Sequence, residues 1–81
     1  MIDFQGWLDV FLSEHAVDME ETFEVEGPSG VNDIPCSAVV LAMKRTGAEE
    51  QQRLRDLFVR ADFMNADVMA ILRFLAQAIA I

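Results

Sequence analysis

Thr22-Phe23-Glu24-Val25-Glu26-Gly27-Pro28-Ser29-Gly30 is the stretch on which the fold turns, because here the chain abandons helical spacing. Apolar and acidic residues alternate through Phe23, Glu24, Val25 and Glu26, a period of two that suits a half-buried strand with Phe23 and Val25 inward. Gly27-Pro28-Ser29-Gly30 then supplies a turn, since proline presets its own φ and glycine accepts backbone angles that other residues resist. A single short strand needs a partner. The sequence leaves three options: pairing with Val31-Asn32 just past the turn, pairing with a second copy, or a segment that is merely extended.

On either side of this stretch the spacing is helical. Before it, Phe4, Trp7, Leu8, Phe11, Leu12 and His15 recur at steps of three and four, which predicts an amphipathic helix over about 4–16, capped by Asp3. After it, Pro35 suits the first turn of a second helix with Cys36, Val39, Val40 and Met43 inward, and Lys44 and Arg45 at its cation-favouring end. Thr46 and Glu49 have capping-box spacing around Gly47, which opens a third helix over about 48–61 that buries Leu54, Leu57, Phe58 and Ala61. Glu49 with Arg53 and Asp56 with Arg60 are paired four residues apart along it. Asn65 caps a last helix over about 66–80. Thirteen of the sixteen residues from Ala66 to Ile81 are apolar. Such a helix is either central to the domain or covered in part by another molecule.

The expected fold is therefore mainly α in a single domain, residues 1–81: four short helices with one short extended or β segment between the first and second, a minor variant of α+β. The expected core is Phe4, Trp7, Leu8, Phe11, Phe23, Val39, Val40, Met43, Leu54, Leu57, Phe58, Val68, Ile71, Leu72 and Leu75. An 81-residue chain buries only about 60–65% of its unfolded surface, so its stability should be modest.

Charge is distributed by position. Residues 1–33 hold nine acids (Asp3, Asp9, Glu14, Asp18, Glu20, Glu21, Glu24, Glu26 and Asp33) and no Lys or Arg. All six basic residues follow Pro35, where five acids nearly balance them, so the first two-fifths of the chain carries −9 and the rest +1, which sums to the net charge of −8. Acidic faces that serve only solubility are usually interleaved with lysine, and this one is not. The segment Glu14, Asp18, Glu20, Glu21, Glu24, Glu26 and Asp33 thus reads as a docking surface for a basic protein or nucleoprotein complex, whose phosphate-binding Arg and Lys side chains carboxylates can occupy.

Other functions are disfavoured. One histidine (His15) and one cysteine (Cys36) are too few for a metal centre, and a nucleophile would need both plus an orienting group. Asp62, Asn65 and Asp67 lack the spacing, the glycine and the closing glutamate of an EF-hand loop, and Asn65 and Asp67 read as helix caps. No phosphate loop or nucleophile elbow is present, so neither catalytic residues nor cofactors nor metals are expected and the chain reads as a non-enzyme. Direct nucleic-acid binding is disfavoured by the repulsion between the acidic half and phosphate. The single cysteine, the acidic N-terminus and the lack of an apolar run long enough for a bilayer predict a cytoplasmic protein without membrane contact.

The run Thr22–Gly30, the Ile34-Pro35 helix start, and Asp62-Phe63 leading to Asn65-Ala66-Asp67-Val68 resemble segments of uncharacterised phage and prophage proteins. In length, acidity and lack of catalytic groups the chain is also similar to anti-CRISPR proteins, a resemblance of general character that carries over no residue. It implies an inhibitor that covers the basic nucleic-acid site of a host complex. The alternative is a small homo-oligomeric structural or adaptor protein, such as a homodimer, that self-associates through Phe74, Ile79 and Ile81, with the acidic face conferring solubility only.

Overall fold

A computed structural model of the chain describes residues 3–79. The order is α1 (Phe4–Glu14), β1 (Thr22–Gly27), β2 (Gly30–Pro35), α2 (Cys36–Lys44), α3 (Ala48–Phe63) and α4 (Val68–Ile79). The fold is mainly α with a small β element between the first two helices. Of the three options for the strand, pairing within the chain is the one realised. β1 and β2 form an antiparallel hairpin whose register runs from Thr22 opposite Pro35 to Gly27 opposite Gly30. Pro28 and Ser29 make the turn, and Gly30 leaves it at φ 116°, where a residue with a Cβ is strained.

Burial on β1 alternates as its sequence does, with Phe23 and Val25 buried and Thr22, Glu24 and Glu26 exposed. They join a core of Leu8, Phe11 and Leu12 from α1, Cys36, Val39, Val40 and Met43 from α2, Leu54 and Phe58 from α3, and Val68, Leu72 and Ala76 from α4. An aromatic stack runs down α1, with ring centroids 6.1 Å apart for Phe4–Trp7, 5.1 Å for Trp7–Phe11 and 4.2 Å for Phe11–His15. Phe58 of α3 meets Phe11 edge-on at 5.6 Å, and the Arg55 guanidinium lies 4.9 Å from the Trp7 ring centroid. These contacts fix α1 on α3.

Several local expectations need correction. Leu57 is 41% exposed and no part of the core: α3 buries only Leu54, Phe58 and Ala61, one stripe at helical spacing. Phe4, Trp7, Ile71 and Leu75 are half-buried around the core rather than inside it. The Thr46–Glu49 capping box does not form. Thr46 donates instead to the Met43 carbonyl at the end of α2, and Gly47 begins α3 without a side-chain cap. Asn65 closes α3 rather than opening α4. It takes φ 56°, and the Ala66 amide reaches back to the Ala61 carbonyl at 2.8 Å, a helix ending that asparagine tolerates well. Asp67 caps α4 by accepting from the Met69 amide at 3.0 Å. Asp3 caps α1 as expected, accepting from the Gly6 amide at 2.8 Å.

Candidate protein-docking face

The hairpin register decides how its carboxylates stand. The turn has two residues, so Gly27 and Gly30 form a hydrogen-bonded pair, and every second pair down the ladder, Val25–Asn32 and Phe23–Ile34, is of the same kind. The next position in this series is Glu21–Cys36, and there the Cys36 amide donates to the Glu21 carbonyl at 2.7 Å. Glu24–Asp33 and Glu26–Val31 are thus the non-hydrogen-bonded pairs, which bring side chains closest together. Opposed residues share a face, so Glu24 and Asp33 project side by side from the solvent face, with Glu26 beyond them toward the turn.

Asp18, Glu20 and Glu21 are exposed at the base of the hairpin, with Glu21 in the ladder series of Phe23 and Val25 rather than that of Glu24 and Asp33. Asp18 accepts from the Glu20 amide at 2.9 Å, which orders this approach. The backbone is tied to the start of α2 by the Glu21–Cys36 bond and by the Ser37 amide donating to the Met19 carbonyl at 3.1 Å. The Asp18 and Glu21 carboxylates stand near the positive end of the α2 dipole. Asp18 and Glu21 lie close enough to Cys36 to reinforce what burial already does, which is to raise its thiol pKa.

Of the seven residues expected to dock a partner, Asp18, Glu20, Glu21, Glu24, Glu26 and Asp33 all belong to the hairpin or its base, and all are exposed. Within 4 Å none of them forms an ion pair among the described residues. Glu14 is grouped otherwise. It is exposed at the end of α1 beside His15, whose charged form it supports.

Two cations invisible to a reading of residues 1–33 alone reach this half of the molecule. Lys44 donates to Asp9 at 2.7 Å and ties α2 to α1. Arg73 of α4 lines a cleft of about 540 Å³ with Thr22, Phe23, Glu24 and Asp33, placing one positive charge at the side of the acidic face. The expected pair Asp56–Arg60 is absent among the described ion pairs, and Gln52 donates to Asp56 instead at 3.0 Å. Glu49–Arg53 forms at 3.3 Å, and Arg53 also reaches Glu50.

The residues assigned to self-association divide. Phe74 is 69% exposed and Ile79 is also exposed, whereas Ile81 lies outside the described residues. α4 is not a surrounded helix: it buries one stripe, Val68, Leu72 and Ala76, and leaves Ala70, Phe74 and Ala78 uncovered. Sequence reasoning did not single out Phe63, which is 87% exposed beside Met64 at the turn into α4.

Among the described residues no group of three His, Cys, Asp or Glu could hold a metal ion, and no helix is long and apolar enough to cross a membrane. In comparisons with known proteins, no family model matches the chain, and no curated protein or solved structure matches it.

Proposed function

We propose that this chain is a non-enzymatic, protein-binding inhibitor, anti-CRISPR-like in character, which lays its acidic hairpin into the basic nucleic-acid-binding site of a host protein complex in the cytoplasm. The observation that carries this reading is the pairing of Glu24 with Asp33. Like charges directly opposite across two strands destabilise a hairpin, here by about 0.2–1 kcal/mol. An acidic residue at either position alone would serve solubility as well. Two facing carboxylates, continued by Glu26 and by Asp18, Glu20 and Glu21, form a negative surface that a row of Arg and Lys would neutralise.

The test is affinity capture from host lysate with the native chain and a variant carrying Glu20→Lys, Glu21→Lys, Glu24→Lys and Glu26→Lys, eluted in steps of rising salt. The reading predicts a nucleic-acid-binding protein on the native chain, released at moderate salt and displaced by added DNA or RNA, and absent from the variant, which keeps its helical circular dichroism. Equal capture by both chains would sink it.

A second reading, a homo-oligomeric adaptor, is favoured by the exposure of Phe74 on α4, beside Ala70 and Ala78, which are also exposed among the described residues, whereas the half-open Ile79 borders a groove with Val39 and Met43 of α2. Light scattering at high micromolar concentration decides it. A dimer lost on Phe74→Ser supports the adaptor, and a strict monomer removes it.

A further inference from the structure

We infer that the partner binds by strand addition: an extended, Lys- or Arg-bearing segment pairs with the open edge of β2. This rests on the docking role proposed above and specifies how the docking is made.

The argument begins with the ladder. In an antiparallel pair, residues at non-hydrogen-bonded positions turn their amide and carbonyl away from the neighbouring strand. On β2 these are Val31 and Asp33, and on β1 they are Thr22, Glu24 and Glu26. Among the described residues the sheet has two strands, so both its edges end in unpaired backbone. The edges differ in what lies beside them. β1 packs along α4, whose Arg73 shares a cleft with Thr22, Phe23 and Glu24 and, from the other strand, Asp33, whereas β2 is exposed over nearly its whole length and meets chiefly the helix that follows it. Val31, at 65% exposed, and Asp33 thus offer two donors and two acceptors to a third strand, none bonded by any other described residue. Pro35 has no amide and closes the edge, which limits the added strand to about three residue pairs.

Charge selects the occupant. An added strand places one side chain beside Asp33 on the solvent face, one strand away from Glu24. A lysine or arginine there is attracted by both carboxylates and offsets their mutual repulsion. A second copy of this chain would bring its own Asp33 and a net charge of −8 to the same place, and nucleic acid would bring phosphate. A basic extended protein segment suits both the backbone edge and the field.

The experiment uses the full ¹⁵N-labelled chain and two blocked peptides of equal charge. One alternates Lys with Val and Thr and is extended, and the other is a helical Lys–Ala peptide. Strand addition predicts that the extended peptide slows amide exchange at Val31 and Asp33 by about tenfold or more, leaves Asn32 (already paired with Val25) unchanged, and binds more tightly than the helical one. A synthetic chain N-methylated at Asp33 keeps every charge and loses one outward donor, so it should lose this preference while its core amides stay protected. Equal binding of both peptides without protection at Val31 and Asp33 would overturn strand addition and leave the acidic docking role standing. Binding of neither peptide would overturn both. Protection of the same two amides in the free chain, with a dimeric mass, would give the edge to a second copy and also overturn the proposal.

Discussion

His15 Nε2 stands 2.9 Å from Asp62 Oδ1 while its Nδ1 stands 2.9 Å from the Phe11 carbonyl, so both ring nitrogens of this one histidine face acceptors. Only the doubly protonated ring donates to both. The Phe11 carbonyl first, and the Asp62 carboxylate second, raise the pKa of His15 above its ordinary 6.5, and Glu14 adds to them. His15 also ends α1, where the helix dipole favours a cation. A folded-state pKa above the unfolded one stabilises the fold below pH 6.5 and ceases to do so as pH rises through the raised value. Urea unfolding of the native chain and His15→Gln should therefore differ most on the acid side of neutrality and converge in alkali. In NMR titration the imidazole should ionise above 6.5, moving down in Asp62→Asn. A pKa at or below 6.5 in the native chain would contradict the bridge.

Phe58 is fully buried against Phe11, whereas Leu57 beside it is 41% exposed. Phe58→Ala should cost about 3–5 kcal/mol, enough to leave a domain this small largely unfolded. Leu57→Ala should cost less than about 1 kcal/mol. Urea midpoints for the two variants check the single-stripe packing of α3.

Cys36 is buried, and burial first, then the nearby negative charges of Asp18 and Glu21, push its thiol pKa up. Both effects suppress the reactive thiolate. Labelling with Ellman's reagent at neutral pH should therefore be slow and limited by opening of the fold, then become fast in urea. Rapid labelling of the folded chain would show that the start of α2 is not packed as described.

Gly30 holds φ 116° with open space where a Cβ would project, so any cost of substitution there is conformational rather than a clash. Gly30→Ala should destabilise the hairpin by about 1 kcal/mol. Amide exchange should quicken at Val25 and Asn32 more than at Phe58. Uniform quickening would mean that hairpin and helices open as one unit.

The legibility of this fold in its sequence follows from how local each determinant is. The helical stripes of α1 and α2, the inward Phe23 and Val25, and the Asp3 cap depend on residues a few positions apart, and spacing alone places them. β2 was harder to read, because Val31-Asn32-Asp33-Ile34 has no clean alternation and only Ile34 is even half-buried. The two-residue turn, Pro28-Ser29 between Gly27 and Gly30, was the available signal for it. Leu57 was misplaced because a helix that packs against a neighbour on one side needs a narrower stripe than its apolar residues suggest. The acidic segment was visible as composition. Its organisation around Glu24 and Asp33 was not, since register is a property of two strands. Lys44 on Asp9 and Arg73 beside the hairpin join residues dozens of positions apart and leave no local trace.

The central claim is the proposed one, that Glu24 and Asp33 face each other as a paired site for a partner's cations. Glu24→Lys measures it most directly. Facing Asp33, the new cation should raise the urea midpoint, a gain of about 0.2–1 kcal/mol, and the same chain should fail to capture the basic protein that the proposed docking role predicts for the native chain. A more stable chain that binds less is the predicted result. Capture undiminished in Glu24→Lys and in the matching Asp33→Lys would contradict the account, and would leave the carboxylates as a means of keeping a small apolar domain in solution.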